Sequence, residues 1–295
     1  MVSVSQIGFL IVNGVALGMV LLFIAAGLSL IFGLMGVVNF AHGALFGLGA
    51  YIGLTIFDAQ LPFLLALLVA PFIVAGIGVV LEVLTIRPLY DRDPIYQILL
   101  TFGLSLILDE FLILIWGPNS QSFGTPGWLT GALQFAGVIV PNYRAFVVVV
   151  GTLMAAAIYV FLERTDLGMI VRAGTMDSEM VQTLGINVRR SFTIMFAIGT
   201  GLAAFGGVMS APILGVYPGL STEIILDAFV VVVIGGLGSF RGAIVGALFV
   251  GLAQMFGQYF VPQFAPFIIF AVMAATLLAK PEGLFGAEIT TGVEH

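Results

Sequence analysis

Residues Ile7–Phe32 read IGFLIVNGVALGMVLLFIAAGLSLIF, without one charged side chain. About 20 helical residues cross roughly 30 Å of hydrocarbon, so this run is long enough to span a bilayer. A cleaved signal peptide fits worse: such a segment has a basic leader and a shorter apolar stretch, and this run leads straight into more apolar sequence. The rest of the chain has the same character. Of 295 residues, 9 are basic and 15 acidic. The charged share is 8%, against about 25% in soluble domains. Hydrophobic residues make up 61% and the mean hydropathy is +1.21. Lysine occurs once, at Lys280. A solvated surface of ordinary size cannot be built from this composition, which excludes soluble enzymes, nucleic-acid binders and disordered scaffolds. Unbroken apolar runs, rather than period-two alternation, select helices over a β-barrel. The expected fold is an all-α, polytopic integral membrane helical bundle forming a single domain over 1–295.

Charge-free intervals place the spans. Residues 1–57 hold two, broken near Gly33–Asn39, and 59–81 a third that ends at Glu82, Arg87 and Pro88. Ile95–Trp116 is a fourth, and Gly117–Tyr143 a loop with room for a small surface helix. Arg144–Leu162 and Ser191–Ala211 follow. Ala228–Phe240 and Ala243–Phe260 are closely spaced, and Phe264–Ala279 is a short last candidate, giving eight or nine transmembrane helices. Counting from these, Arg87, Arg92, Arg164, Arg172, Arg189, Arg190, Arg241 and Lys280 share one side and Arg144 lies on the other. The positive-inside rule makes the populated side cytoplasmic, with the N-terminus outside and the C-terminus inside. A re-entrant Ala228–Phe240 would invert everything after it.

The polar loop 163–190 repeats Ala173, Met176, Met180 and Leu184 at helical spacing. Thr175 is placed to cap the start, Asp177 and Glu179 suit the first turn, and Gly185 suits the end. About three turns are not stable alone in water, so this helix needs a surface. Either the membrane and the chain's own bundle supply it, or a groove on a cytoplasmic partner does. The sole lysine precedes Pro281, so no G-x-x-x-x-G-K-[ST] loop exists. Nucleotide-driven transport therefore requires an ATPase on another subunit.

Two motifs bring a family into view. Gly33-Leu-Met-Gly-Val-Val-Asn39-Phe-Ala-His42-Gly43-Ala resembles the early signature of LivH-type permeases, the membrane subunits of branched-chain amino-acid ABC importers. Ala228-Phe229 through Val233-Ile234-Gly235-Gly236-Leu237-Gly238-Ser239, with Gly242-Ala243 and Gly246, resembles the second signature. Gly168 to Gly185-Ile186-Asn187 looks like the cytoplasmic coupling loop. The resemblance covers nearly the whole chain. It implies a bacterial or archaeal inner-membrane permease paired with a LivM-like subunit or an identical copy. It also implies two cytoplasmic ATPase subunits that use the ATP, and an extracytoplasmic substrate-binding protein. On this reading Ala173, Met176, Met180, Leu184 and Gly185 couple to the ATPases, and this chain binds no cofactor.

Asn39 and His42, at the first helix break, either satisfy backbone groups there or line the pathway, together with Gly235 and Gly236. Gly43-Ala-Leu-Phe-Gly47 and Gly242-Ala-Ile-Val-Gly246 are small-xxx-small steps suited to close helix contact, and their shared pattern hints at an internal repeat. The chain has no cysteine, and His295 is the only histidine besides His42, so neither a metal site nor a disulfide is expected. The adjacent Asp109 and Glu110 point to different faces and cannot form a catalytic pair, and no Ser–His or H-E-x-x-H context exists; an enzyme is not expected. Glu223 and Asp227 fall one turn apart on the outer side, where they contact a binding protein or begin a solvated helix. Gln254 and Gln258 share a face suited to interhelical hydrogen bonds. The alternative is an ion-coupled secondary transporter using Asp109 or Glu110 at mid-bilayer.

Overall fold

A computed structural model describes residues 3–286 except 136, 177 and 184–186. The charge-free N-terminal run becomes α1 (Val4–Met35), capped by Ser3, whose side chain accepts from the Gln6 backbone while the Gln6 side chain accepts from the Ser3 backbone. It has no polar face, and 89% of its most apolar window is buried inside the protein. A helix apolar on every side belongs at the centre. It ends at Gly36, in the left-handed region at φ 65°, which a residue without a Cβ enters freely.

Around α1 lie α2 (Ala41–Asp58), α3 (Phe63–Leu81), α4 (Pro94–Trp116), α5 (Asn142–Arg164), α6 (Asp166–Met176), α7 (Ser178–Thr183), α8 (Val188–Leu214), α9 (Leu220–Gly235), α10 (Phe240–Phe260) and α11 (Ala265–Ala279). Among the described residues seven helices are long and apolar enough to cross a membrane. The shorter α2 and α9 complete the bundle. The expected all-α polytopic class is what the structure shows.

Two departures have clear causes. Residues 117–143 carry no surface α-helix: a 3-10 turn at Gly127–Leu129 precedes an antiparallel hairpin of β1 (Ala132–Phe135) and β2 (Val138–Pro141). The β-branched Val138-Ile-Val140 favours extended backbone, and Val138 lies over Gly8 of α1. Second, α9 begins at Leu220 rather than Ala228. The charge-free criterion cut off a turn that holds Glu223 and Asp227, which line a polar cavity instead of facing lipid.

Contacts define two ends of the bundle. At one end Gly238 lies against Gly33, Gly283 and Gly286 against Gly236, and Gly174 against Leu34. At the other, Phe57 stacks on Phe123, Trp116 Nε1 donates to Thr55 Oγ1, and Gln121 pairs with Val216. The first is the arginine-rich end. Because α9 carries the chain from Val216 to Gly238, it passes between the ends and is not re-entrant.

At the basic end α3 runs on through a π turn, Glu82–Ile86, and a 3-10 turn, Arg87–Leu89. Glu82 is fully buried. Arg87 donates to both its oxygens, Nε–Oε1 3.0 Å and Nη2–Oε2 2.9 Å, and Tyr90 donates to Oε1 at 2.6 Å. Arg87 also donates to Thr193 of α8, so the cluster joins two helices. Burial, and then the Glu82 carboxylate, push the Tyr90 phenol up, so it stays a donor at neutral pH. Removing one partner of a buried pair leaves an uncompensated charge. Arg87→Met should cost about 3–5 kcal/mol of stability in detergent, and the double variant Glu82→Met/Arg87→Met should recover most of it. A single-variant loss below about 1 kcal/mol would place the pair among ordinary exposed ion pairs.

Candidate functional site

The two glycine-rich signatures meet on α9. Gly43 of α2 lies against Ser221 and Ile225, and Gly47 against the Ser221 hydroxyl. From the other end Gly242 of α10 crosses the Gly235 backbone, and a methyl on Gly246 would come within 2.6 Å of the Val231 carbonyl oxygen. The matching G-A-x-x-G steps therefore grip opposite halves of one short helix. Small residues at these positions are what bring backbones into contact within lipid, where burial gives helices no reason to associate.

Gly235 and Gly236, expected at the pathway, sit at the α9–α10 turn. Gly236 (φ 101°) ends α9, and the carbonyls exposed there accept from the tail: Leu284 N to Ile234 O and Phe285 N to Gly235 O, both 2.9 Å. The turn thus has the carbonyl partners that helix C-termini require. Asn39 and His42 lie at the break between α1 and α2. The Val38 carbonyl accepts from Thr101 of α4 at 3.2 Å, and Phe40 lies 5.0 Å from Phe229 of α9. His42 packs against Gly27 of α1, which itself touches Gly199 of α8, and neither ring nitrogen meets a hydrogen-bond partner among the described residues. Asn39 and His42 are both fully buried. The Asn39 amide meets no hydrogen-bond partner among the described residues. The structure brings the two signatures together through Phe40–Phe229 and Gly33–Gly238, while His42 faces Gly27 of α1.

The 163–190 segment differs from its expected form. The first cap is Thr165, not Thr175: its Oγ1 accepts from Gly168 N at 3.0 Å, and Asp166 occupies the first turn. Thr175 lies inside α6. One continuous helix over 174–186 is replaced by α6 and the shorter α7. Val171, Gly174 and Val181 face inward, whereas Ala173 and Met180 are exposed. Met176 ends α6; Leu184 and Gly185 lie outside the described residues. Glu163 ties this segment to the second signature, accepting from Arg172 and Arg241 at 2.9 Å each. The Arg241 guanidinium also lies 5.6 Å from the centre of the Tyr159 ring. A cavity of ≈ 300 Å³ opens between them, bordered by Val171, Arg172 and Phe240.

A larger cavity, ≈ 690 Å³, lies in the opposite half. Its polar wall carries Arg144, Tyr217, Glu223, Asp227, Gln254 and Gln258. Gln254 donates to Asp227 at 2.9 Å, an interhelical bond of the kind its sequence spacing suggested. Tyr217 donates to Glu223 at 2.6 Å. Burial, and next the Glu223 carboxylate, push the Tyr217 phenol up to about 12, so it remains a donor. The sequence named each acidic and amide residue here but gave no sign that Arg144, some 80 positions away, shares their cavity. Asp109 of α4 faces Ser221 and Tyr51, whereas Glu110 is exposed. No group of three or more potential metal ligands occurs among the described residues.

A family model described as branched-chain amino acid transport system / permease component matches residues 10–277. The chain belongs to this family. It is similar to the high-affinity branched-chain amino acid transport system permease protein BraD of Pseudomonas aeruginosa, 29% identical over 290 residues with 94% of each chain covered. It is equally similar to LivH of Escherichia coli, 29% over 288 residues, covering 93% of this chain and 94% of LivH. LivM of the same organism is 25% identical over 294 residues, covering 91% of this chain and 68% of LivM. The family consists of transport permeases and is not an enzyme family. For this permease the buried, unpaired Asn39 amide gives a test. Leaving a buried polar group unmade costs about 1–3 kcal/mol. Asn39→Leu should therefore leave thermal stability unchanged or raised while slowing uptake. A fall in stability would mean that Asn39 serves the fold rather than the transport cycle.

Proposed function

We propose that this chain is one half of the translocation path of an ATP-binding-cassette importer for branched-chain or related amino acids. It works in the inner membrane of a bacterium or archaeon with a second permease subunit, LivM-like or identical. Two cytoplasmic ATPase subunits use the ATP, and an extracytoplasmic binding protein delivers substrate. The observation that carries this reading is the family match over residues 10–277, supported by relatives named for branched-chain amino-acid transport. These relatives favour the importer over an ion-coupled carrier. With the basic end cytoplasmic by the positive-inside rule, the C-terminus lies inside and the large cavity opens outside.

In this reading α6 and α7 seat on the ATPases through the face that exposes Ala173 and Met180, and Met176, Leu184 and Gly185 are assigned to the same coupling role from the sequence. A displacement of α6 reaches α1 through Gly174 on Leu34, and α10 through Arg172, Glu163 and Arg241. A displacement of α7 enters α8, which begins at Val188 and is held to α3 by the Arg87–Thr193 contact. The first route ends on α1 and α10, which flank α9, and the second on α8, which packs on α1, α2 and α3. Asn39 and His42, at the break below α9, are the residues to rearrange when the path opens, with Gly235 and Gly236 as its inner turn.

Met180→Glu puts a charge on the docking face, and its expected outcome is loss of ATPase co-purification with normal membrane insertion. Normal recovery of the ATPases with this variant would overturn the docking assignment. Glu163→Gln acts one step later. ATPase binding should persist, while substrate-dependent ATP hydrolysis falls several-fold; unchanged stimulation would rule out the Glu163 route.

A further inference from the structure

The large outer cavity holds charges of both signs that do not neutralise one another. Arg144 is half-buried, yet it forms no ion pair or hydrogen bond among the described residues. Glu223 and Asp227 stand one helical turn apart on another wall of the same cavity. Each is held by one oxygen: Tyr217 bonds Glu223 Oε2, and Gln254 bonds Asp227 Oδ2. Glu223 Oε1 and Asp227 Oδ1 have no hydrogen bond among the described residues. Glu223 is exposed, whereas Arg144 and Asp227 are half-buried, and partly withdrawing a guanidinium and a carboxylate from water is unfavourable unless something compensates them. Were direct pairing the purpose, Arg144 would meet a carboxylate within 4.0 Å, and it does not.

The remaining wall is apolar. Leu17, Ile224, Ile269 and Phe270 face the same space from α1, α9 and α11. A molecule that satisfies this arrangement carries an anion and a cation, with a hydrocarbon part beside them. We infer that this cavity is a binding subsite for a zwitterionic α-amino acid with an apolar side chain. The carboxylate pairs with the Arg144 guanidinium, whose planar fork suits two oxygens. The ammonium bridges Glu223 Oε1 and Asp227 Oδ1, relieving their mutual repulsion. The side chain lies against Ile224, Ile269 and Phe270. This assignment rests on the importer reading and deepens it, giving the permease a selectivity of its own beyond that of the binding protein.

The test uses the assembled permease–ATPase complex in lipid nanodiscs without binding protein. Radiolabelled L-leucine binding is measured in competition with two probes, 4-methylpentanoate, which lacks the ammonium, and isopentylamine, which lacks the carboxylate. Each half-molecule should bind at least about tenfold more weakly than leucine, because a charge-assisted contact is lost. Glycine should also bind about tenfold or more weakly, because it forgoes the apolar wall. Arg144→Gln should bring leucine down to the affinity of isopentylamine while leaving isopentylamine itself unchanged. Asp227→Asn should do the same toward 4-methylpentanoate. The wild-type competition series needs no variant, so it stands even where a substitution fails to fold. Competition by either probe as strong as that of leucine itself, or unaltered leucine affinity in Arg144→Gln, would overturn the assignment. So would a weaker hold on the empty binding protein with leucine affinity intact, which would make these charges a docking patch. Uptake of leucine by the complete system without binding to the isolated complex sinks the subsite and leaves the importer. The predicted binding pattern without any ATP-dependent uptake sinks the importer and leaves the subsite.

Discussion

Backbone-to-backbone contact at glycine is the constraint on which the rest of this bundle depends. Lipid tails are as apolar as leucine, so helices inside a membrane gain little by burying side chains against each other, and close packing has to supply the attraction. Gly43, Gly47, Gly242 and Gly246 supply it around α9, and Gly27 with Gly199 supplies it between α1 and α8. A side chain at any of these positions would separate helices that carry the Phe40–Phe229 contact and the polar cavity. The glycines are thus not pathway residues in the chemical sense. They fix the distance at which α9 is held, while its buried Ile224, Val231 and Ile234 and the Phe40–Phe229 contact pack it into the core.

Against that apolar background the polar groups fall into two kinds. Glu82 is satisfied from three donor atoms, Arg87 Nε, Arg87 Nη2 and the Tyr90 hydroxyl, and a carboxylate so held fixes the helices it touches. Asn39, Arg144 and Asp227 are incompletely satisfied among the described residues, Asp227 on α9 itself and Arg144 across the cavity from it. Completed networks make an element rigid, whereas incomplete ones favour whatever change of state or ligand completes them. The distribution therefore separates a fully satisfied clamp between α3 and α8 from incompletely satisfied groups at the α1–α2 break and in the polar cavity.

Much of this frame was legible in the sequence. Charge-free intervals located α1, α3, α4, α5, α8 and α10 closely, because charges in lipid-facing helices are costly and so mark the ends. The same logic failed for α9, where Glu223 and Asp227 belong to a helix yet face a cavity; linear charge patterns carry no information on which way a helix face points. The hairpin at 132–141 was missed because a short β-branched run between two spans says nothing until a partner, here Gly8 of α1, is close to it. The 163–190 segment showed its periodicity, but Thr165 outcompetes Thr175 as a cap because Gly168 lets α6 turn tightly beneath Leu162. The repeated G-A-x-x-G step was visible, and its meaning, that both copies address one helix, required three dimensions. Arg144 illustrates the limit most sharply. By charge counting it was an outlier on the wrong side, and in the fold it is the one basic residue among the acidic groups of the outer cavity.

That outlier also bears on how force would reach substrate. The basic end has redundant connections, α6 to α1, Glu163 to Arg241, and α7 through α8 to the Glu82 clamp. The outer half is connected to them chiefly through α9, α10 and α1, which contribute Asp227, Gln254 and Leu17 to the cavity. Arg144 stands instead on α5, whose buried Tyr143 donates to Met209 of α8 at 2.9 Å. The cavity's cation is thus fixed to α5 and α8, while its anions ride on the glycine-held α9. Any slide of α9 changes the gap between them, and with it the affinity for a ligand that must reach both. On the proposed reading, a single short helix would convert motion of α6 and α7 into release, because the opposite charges proposed to hold a zwitterion are mounted on different parts of the bundle.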